Sequence, residues 1–193
     1  MDRINEMDAQ KPEEEKKVKK ELLPMLFDTL EIVCLSVVLV ILVFTFVGRM
    51  ATVVGDSMEP TLQNGDRVLV SSFFYTPECG DVVVVQKESG YYDDQLLIKR
   101  VIAVGGDWIE IDTDGAIYLN GEKLDEPYVQ QFALGECDLE FPYQVPVAQY
   151  FVVGDMRESS IDSRNSLIGC IPKDQIVGKV FFRIWPFKDI KFF

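Results

Sequence analysis

Hydrophobic and polar positions divide the chain into three stretches with different patterns. Residues 1–24 are almost wholly polar, with the runs Glu13-Glu14-Glu15 and Lys16-Lys17-Val18-Lys19-Lys20 and no periodic apolar face. That composition predicts a disordered tail. Seventeen residues from Ile32 to Gly48 then carry no charge. As a helix rising about 1.5 Å per residue they would extend roughly 25 Å, the lower end of a membrane span. A buried core helix would show polar residues on one face, and only Ser36 and Thr45 interrupt this run. A cleavable secretory signal would have its apolar core nearer the N-terminus and a small-x-small site after it. The expectation is an uncleaved anchor helix over 25–48.

From Arg49 onward the pattern changes to short β-branched and aromatic runs bounded by Gly, Asp, Asn and Pro. These predict strands at Arg67 to Phe74, Asp81 to Gln86, Leu96 to Val104, Trp108 to Ile111, Ala116 to Leu119, Tyr150 to Val153 and Ile176 to Trp185. No stretch keeps a long 3.6-residue period, so the region 49–193 is expected to be an all-β domain. Asn120-Gly121 after Ile117-Tyr118-Leu119 is the strongest hairpin turn signal. The stretch from about Asp112 to Val147 is more acidic and poorer in strand runs, which suggests a small insertion beside the core. The fold class is therefore mainly β: one N-terminal transmembrane helix, then an all-β domain with a small inserted subdomain.

Charge adds direction. Lys11, Lys16, Lys17, Lys19 and Lys20 precede the apolar run, while Arg49 alone follows closely. The positive-inside rule then keeps the tail cytoplasmic and puts 49–193 outside the cell membrane in a single-pass arrangement. This outer part holds thirteen basic and twenty-three acidic residues, and the whole chain has a net charge of −13, so nucleic acid is not an expected partner.

The chain has no histidine. Ser-His-Asp and Cys-His catalysis and histidine-ligated metals are thereby excluded, and any acid–base chemistry must use Lys, Asp, Glu, Tyr or Cys. Cys34, Cys79, Cys137 and Cys170 are too scattered for a CxxC metal site. At most one intrachain disulfide can join two of the three outer cysteines, and the spacing does not choose a pair. No phosphate-binding glycine loop or metal-binding carboxylate cluster is evident, and Asp93-Asp94 and Asp112 to Asp114 read as solvated turns. No cofactor is expected.

Three places carry candidate chemistry. In Gly55-Asp56-Ser57-Met58-Glu59-Pro60-Thr61, a serine between Gly55 and Pro60 can be held sharply, exposing its hydroxyl and aiming its own N–H at a carbonyl. An ordinary Asx or Ser turn before the next strand fits the same spacing. Alternation along Leu96 to Val104 puts Leu97, Lys99 and Val101 on one face and Ile98, Arg100 and Ile102 on the other. A lysine among apolar neighbours loses hydration, and its pKa falls toward that of a general base able to activate a serine. An edge-strand lysine guarding against aggregation is the alternative. The third place is the polar loop from Gly154 to Arg164, whose side chains either orient such a lysine or make solvated ion pairs.

Together these places resemble one family, the bacterial type I signal peptidases. Ser57-Met58-Glu59-Pro60-Thr61 resembles its nucleophile motif and Gly65-Asp66-Arg67-Val68-Leu69-Val70 the strand motif after it. Lys99 to Asp107 resembles the motif carrying its general base, and Gly154-Asp155 through Ser160-Ile161-Asp162-Ser163-Arg164 its last motif. The resemblance covers nearly the whole chain except the tail and roughly Asp112 to Val147. It implies a Ser/Lys-dyad endopeptidase that removes N-terminal signal peptides after small residues at −3 and −1. Ser57 would be the nucleophile and Lys99 the base, with Ser160 orienting Lys99 and an Asp162–Arg164 pair holding the loop. The Ser57 backbone N–H would meet the oxyanion. Some members add a hydroxyl two residues earlier, where this chain has Gly55, and Met156 stands where the family usually has Asn. The family's histidine-using endoplasmic-reticulum type is excluded by the absence of histidine.

The implied partners are secretory preproteins, the lipid bilayer and the protein-translocation machinery. Nine residues from Gly48 to Ser57 reach at most about 30 Å, which keeps Ser57 near a membrane surface where a signal peptide ends. The peptide is expected to bind extended, as an added strand, with shallow apolar pockets selecting alanine-like residues. Phe73-Phe74-Tyr75 and Trp185-Pro186-Phe187 either dip into the interface or belong to the core. Two other readings are an inactive membrane-anchored β-domain binder and a self-cleaving serine–lysine regulator. The latter would carry a DNA-binding domain in place of the span.

Overall fold

The computed structural model describes residues 24–42, 48–72, 75–87 and 96–193. It divides into two compact units, Met1–Thr45 and Phe46–Phe193. The polar tail, Phe73, Phe74, Asp93 and Asp94 lie outside the described residues.

In the first unit a helix, α1, runs Pro24–Leu42 among the described residues, and its length and mean hydropathy of 2.4 suffice to cross a membrane. Proline suits the first helical position, where its missing N–H costs nothing. The hydroxyls in this helix are satisfied internally: Thr29 Oγ1 donates to Met25 O at 2.8 Å and Ser36 Oγ to Val33 O at 2.8 Å. Such back-bonding is what an apolar surrounding requires, since no water is there to take the proton.

The second unit is antiparallel β. Its strands are β1 (Arg49–Thr52), β2 (Arg67–Ser71), β3 (Val82–Gln86), β4 (Leu96–Val104), β5 (Trp108–Ile111), β6 (Ile117–Leu119), β7 (Glu122–Lys123), β8 (Tyr143–Gln144), β9 (Gln149–Val153), β10 (Ile171–Pro172), β11 (Ile176–Trp185) and β12 (Lys191–Phe192). The larger sheet has the order β1-β2-β11-β3-β4-β9-β10, with β12 also on β11, and the smaller has the order β7-β6-β5-β8. Within the acidic stretch from Asp112 to Val147 the smaller sheet supplies β6, β7 and β8. Asn120 and Gly121, with φ of 53° and 85°, make its β6–β7 turn, the left-handed pair that a two-residue hairpin demands.

The uninterrupted valines of β3 explain its central place. Val82 and Val84 pack with Val53, Met58, Leu62, Val68 and Val180, while Val83 and Val85 pack with Val101, Tyr150, Val152 and Ile171 on the opposite face. A third cluster, Ile102, Ala103, Ile109, Ile117, Val145, Phe151 and Val153, joins the two sheets. Register shifts within β11 and between β4 and β9 mark irregularities in the larger sheet. Bulges of this kind bend strands, and β1 and β2 come to pack through the first cluster against Val84 and Ile98.

The structure adds a strand and decides several readings that the sequence left open. β1 lacks a β-branched run and falls outside the predicted strands. Lys99 is no solvated edge lysine: its side chain is buried, although β9 joins β4 only from Arg100 onward. Trp185 and Phe187 are not core residues: Phe187 is 73% exposed, and the two rings stack edge to face on the surface, 4.9 Å apart. All four cysteines are free thiols.

Candidate active site

The turn bearing Ser57 hangs between β1 and β2 and is tied at both ends. Val53 N donates to Asp66 O at 2.8 Å and Gly65 N to Val53 O at 2.9 Å, while Glu59 N closes a turn on Asp56 O at 2.9 Å. Buried Met58 and Leu62 sink the middle of the turn into the core. Gly55 has φ of 91°, a conformation an L side chain adopts only with strain. Ser57 is half-buried, and its hydroxyl makes no hydrogen bond among the described residues. Its carbonyl accepts from Met156 N at 3.0 Å. The Asn-to-Met change is thus bridged by the backbone, which needs no particular side chain.

Lys99 sits mid-strand opposite Val83 and is 3% exposed. Its ammonium group donates to Ser160 Oγ at 3.0 Å. Burial pushes its pKa down to about 8, with the nearby Arg164 guanidinium acting the same way and Asp162, Asp155 and Asp56 opposing. The cause is loss of hydration by the charged form.

The Gly154–Arg164 loop is not a set of solvated ion pairs, because Asp155, Arg157, Ser160, Asp162, Ser163 and Arg164 are all buried. Asp162 Oδ1 accepts from Arg164 Nε at 2.8 Å and Oδ2 from Arg164 Nη2 at 2.9 Å, while Gly154 N donates to Oδ2 at 3.0 Å. Burial alone would raise the Asp162 pKa, yet the Arg164 guanidinium bonded to it holds it below the usual carboxylate range. Arg164 spends its remaining donors on the carbonyls of Ala133, Leu134, Arg157 and Ser160. Such complete pairing is what makes a buried charge tolerable.

Gly154 is the junction of the site. A Cβ built there would collide with both Ser160 Oγ and Ser57 O, so only glycine fits between them. The structure thus brings Lys99, Ser160, Asp162 and Arg164 into one bonded cluster, with the backbone of Ser57 attached through Met156. Motif reading missed Glu126 and Tyr128 and gave no role to Arg100, Asp155 or Arg157, although these lie within the motifs; their side chains interlock behind this cluster. Glu126 has no local signature, since its partner Arg157 lies 31 residues away.

Beside Ser57 runs a groove of about 630 Å³ lined by Met50, Val53, Val54, Leu96 and Ile98 among others. Two backbone edges border it. Among the described residues β1 pairs only with β2, and β9 pairs with β4 only from Arg100 onward, so Leu96 to Lys99 have β3 on one side alone. Among the described residues no group of His, Cys, Asp and Glu could hold a metal ion.

A β unit that buries a lysine against a serine hydroxyl, in a chain without histidine, has the makeup of a hydrolase built on serine and lysine. Comparison with known proteins gives the family. The chain belongs to the signal peptidase family, peptidase S26, which matches residues 26–185, and it is a serine peptidase. Signal peptidase IB of Staphylococcus aureus (strain MRSA252) is 37% identical over 193 residues, covering 91% of this chain and 95% of that protein. Signal peptidase I S of Bacillus subtilis (strain 168) is 36% identical over 170 residues, 82% of this chain and 89% of that one. A solved signal peptidase I from Enterococcus faecalis V583 is 27% identical, covers 55% of this chain and 97% of its own, and has a TM-score of 0.44.

Proposed function

We propose that this chain is a membrane-bound signal peptidase in which Ser57 is the nucleophile and Lys99 the general base, cutting secretory preproteins after small residues at −3 and −1. The observation that carries the site is Lys99: buried, its pKa pushed down to about 8, and fixed by Ser160 beside the loop that holds the Ser57 carbonyl. Near neutral pH a useful fraction of such a lysine has a free lone pair, which an ordinary surface lysine does not.

Neutral Lys99 takes the Ser57 Oγ proton as Oγ attacks the scissile carbonyl carbon. The carbonyl π pair moves to oxygen, and the Ser57 N–H meets this oxyanion. With glycine at 55 there is no side-chain donor two residues earlier, so that backbone N–H carries more of the load. Collapse of the intermediate breaks the C–N bond, and Lys99 returns its proton to the leaving amine. Water, deprotonated by Lys99, then attacks the Ser57 ester; the ester C–O bond breaks, and the proton goes back to Oγ. Ser160 holds Lys99 throughout, and Asp162 with Arg164 holds Ser160's loop.

The substrate lies extended in the groove, adding backbone hydrogen bonds along the free edges of β1 and of Leu96 to Lys99. α1 is the single membrane anchor, with the tail cytoplasmic and the β unit outside, as the lysine bias requires. Preproteins reach it from the translocation machinery. The test is cleavage of a membrane-inserted preprotein with an Ala-x-Ala site by the full chain in lipid, beside Ser57→Ala and Lys99→Ala. Cutting after that site by the unmutated chain alone is the expected result. Equal activity in all three would remove both residues from their roles.

A further inference from the structure

Glu126 stands in the stretch that the family motifs leave uncovered, yet it is 4% exposed. Its carboxylate meets the Arg157 guanidinium fork to fork, Nη1 to Oε2 at 3.1 Å and Nη2 to Oε1 at 2.5 Å, and accepts from Tyr128 Oη at 2.9 Å. Both partners lead to the reaction centre by separate routes. Arg157 Nε donates to Gly154 O at 3.1 Å, and the Arg157 carbonyl accepts from Arg164 Nη2 at 2.9 Å. The Tyr128 ring lies 3.8 Å beneath the guanidinium of Arg100, the residue after Lys99. Arg100 grips Asp155 through Nε at 2.9 Å and Nη2 at 2.6 Å, and Asp155 is two residues before Arg157.

The side chains therefore close a ring: Glu126, Arg157, the short backbone to Asp155, Arg100, Tyr128 and Glu126 again. Two acids and two guanidiniums alternate around it, so it is neutral as a whole. It clasps the strand that carries Lys99 to the segment whose Met156 N holds the Ser57 carbonyl. Each bond alone is a packing detail, but the closed ring fixes one distance, that between the Lys99 strand and the Ser57 turn. We infer that Glu126 is a positioning residue for the reaction, setting the Ser57–Lys99 approach from a segment that touches neither. This role rests on Ser57 and Lys99 being nucleophile and base.

The chemistry gives a distinctive signature. Glu126 does not line the substrate groove, so its loss leaves substrate binding alone. It loosens a near-attack geometry, for which a misplacement of about 1 Å costs up to about a hundredfold in rate. Glu126→Gln keeps the shape and one acceptor but leaves the Arg157 charge unpaired. The experiment measures kcat, KM and thermal unfolding of the full chain in lipid with a preprotein substrate, beside Ser57→Ala. Expected for folded Glu126→Gln is a kcat about tenfold to a hundredfold lower, with KM within about twofold of the unmutated chain. An unchanged kcat, or a change carried by KM, overturns the inference. Should Glu126→Gln not fold, Tyr128→Phe decides. It removes only the hydroxyl bond, and a kcat lowered about threefold at constant KM and melting temperature sustains the role, whereas an unchanged kcat ends it. An unmutated chain that cuts no more than Ser57→Ala strikes at the Ser57/Lys99 reading itself, and the inference falls with it.

Discussion

Lys99 has lost most of its hydration, and two pH dependences come from that one fact. As the proposed base it works only when neutral, so kcat/KM should climb about tenfold per pH unit below 8 and level off near 8 rather than near the ordinary lysine value of 10.5. A pH–rate profile checks this, and a limb that continued to rise to pH 10 would mean a base in water. Stability has its own window. The folded pKa is depressed, so between about 8 and 10.5 the unfolded chain binds more protons. Stability therefore rises with pH through that window, and below it the cost of the buried ammonium is fully present. Lys99→Met should raise the melting temperature at pH 7, by an amount that shrinks as pH passes from 8 to 10.5. The burial of Lys99 is legible in the sequence because its neighbours on both faces are apolar. Glu126 is not, because a lone acid in an acidic stretch looks like every solvated one around it until Arg157 folds onto it.

At the scale of elements, strands rich in valine and isoleucine are readable nearly to the residue, as at Leu96–Val104, Trp108–Ile111 and Ile176–Trp185. β1, with Arg-Met-Ala-Thr, is a strand only because β2 offers it a ladder and Ala51 packs on the core, which is a tertiary cause. The polar loop divides the same way. Its motif residues can be named from the sequence, but not that Asp155, Arg157, Ser160, Asp162, Ser163 and Arg164 are buried. Two substitutions test what that burial does. Gly154→Ala puts a methyl against Ser160 Oγ and Ser57 O, one the hydroxyl bonded to the proposed base and the other the backbone of the proposed nucleophile. Activity should fall about a hundredfold, while the melting temperature falls by only a few degrees. Asp162→Ala leaves the Arg164 guanidinium buried without its carboxylate and should cost about 3–5 kcal/mol, measured by chemical unfolding. A loss below about 1 kcal/mol would mean that the carbonyls of Ala133, Leu134, Arg157 and Ser160 hold the loop without Asp162.

For the whole molecule the question is how much of its membrane attachment resides in α1. The β unit has apolar rings of its own on the surface, at the end of β11 and in the turn and strand that close the chain. Phe181 and Phe192 meet edge to face at 6.1 Å, Trp185 and Phe187 do so at 4.9 Å, and Ile190 is exposed between β11 and β12. Water gains nothing from such rings, whereas the interface between headgroups and acyl chains suits the amphipathic indole and the phenyl face. Burying a fully exposed large side chain is worth about 1.5–3 kcal/mol, and with Trp185 46% and Phe187 73% exposed the two together amount to about one such side chain, a partition factor of at least about ten. The chain begun at Phe46 should therefore float with lipid vesicles even without α1, and Trp185→Ser with Phe187→Ser should release it to the soluble fraction. The same pair in the full chain should leave membrane association unchanged, because α1 persists, while slowing cleavage of a membrane-inserted preprotein more than that of a short soluble peptide. Equal slowing of both substrates would mean that the rings support the fold of the β unit and not its seat on lipid. Unchanged flotation of the truncated chain would place the lipid-binding surface elsewhere on the β unit, with Met50, Val54 and Leu96 around the groove the next residues to replace.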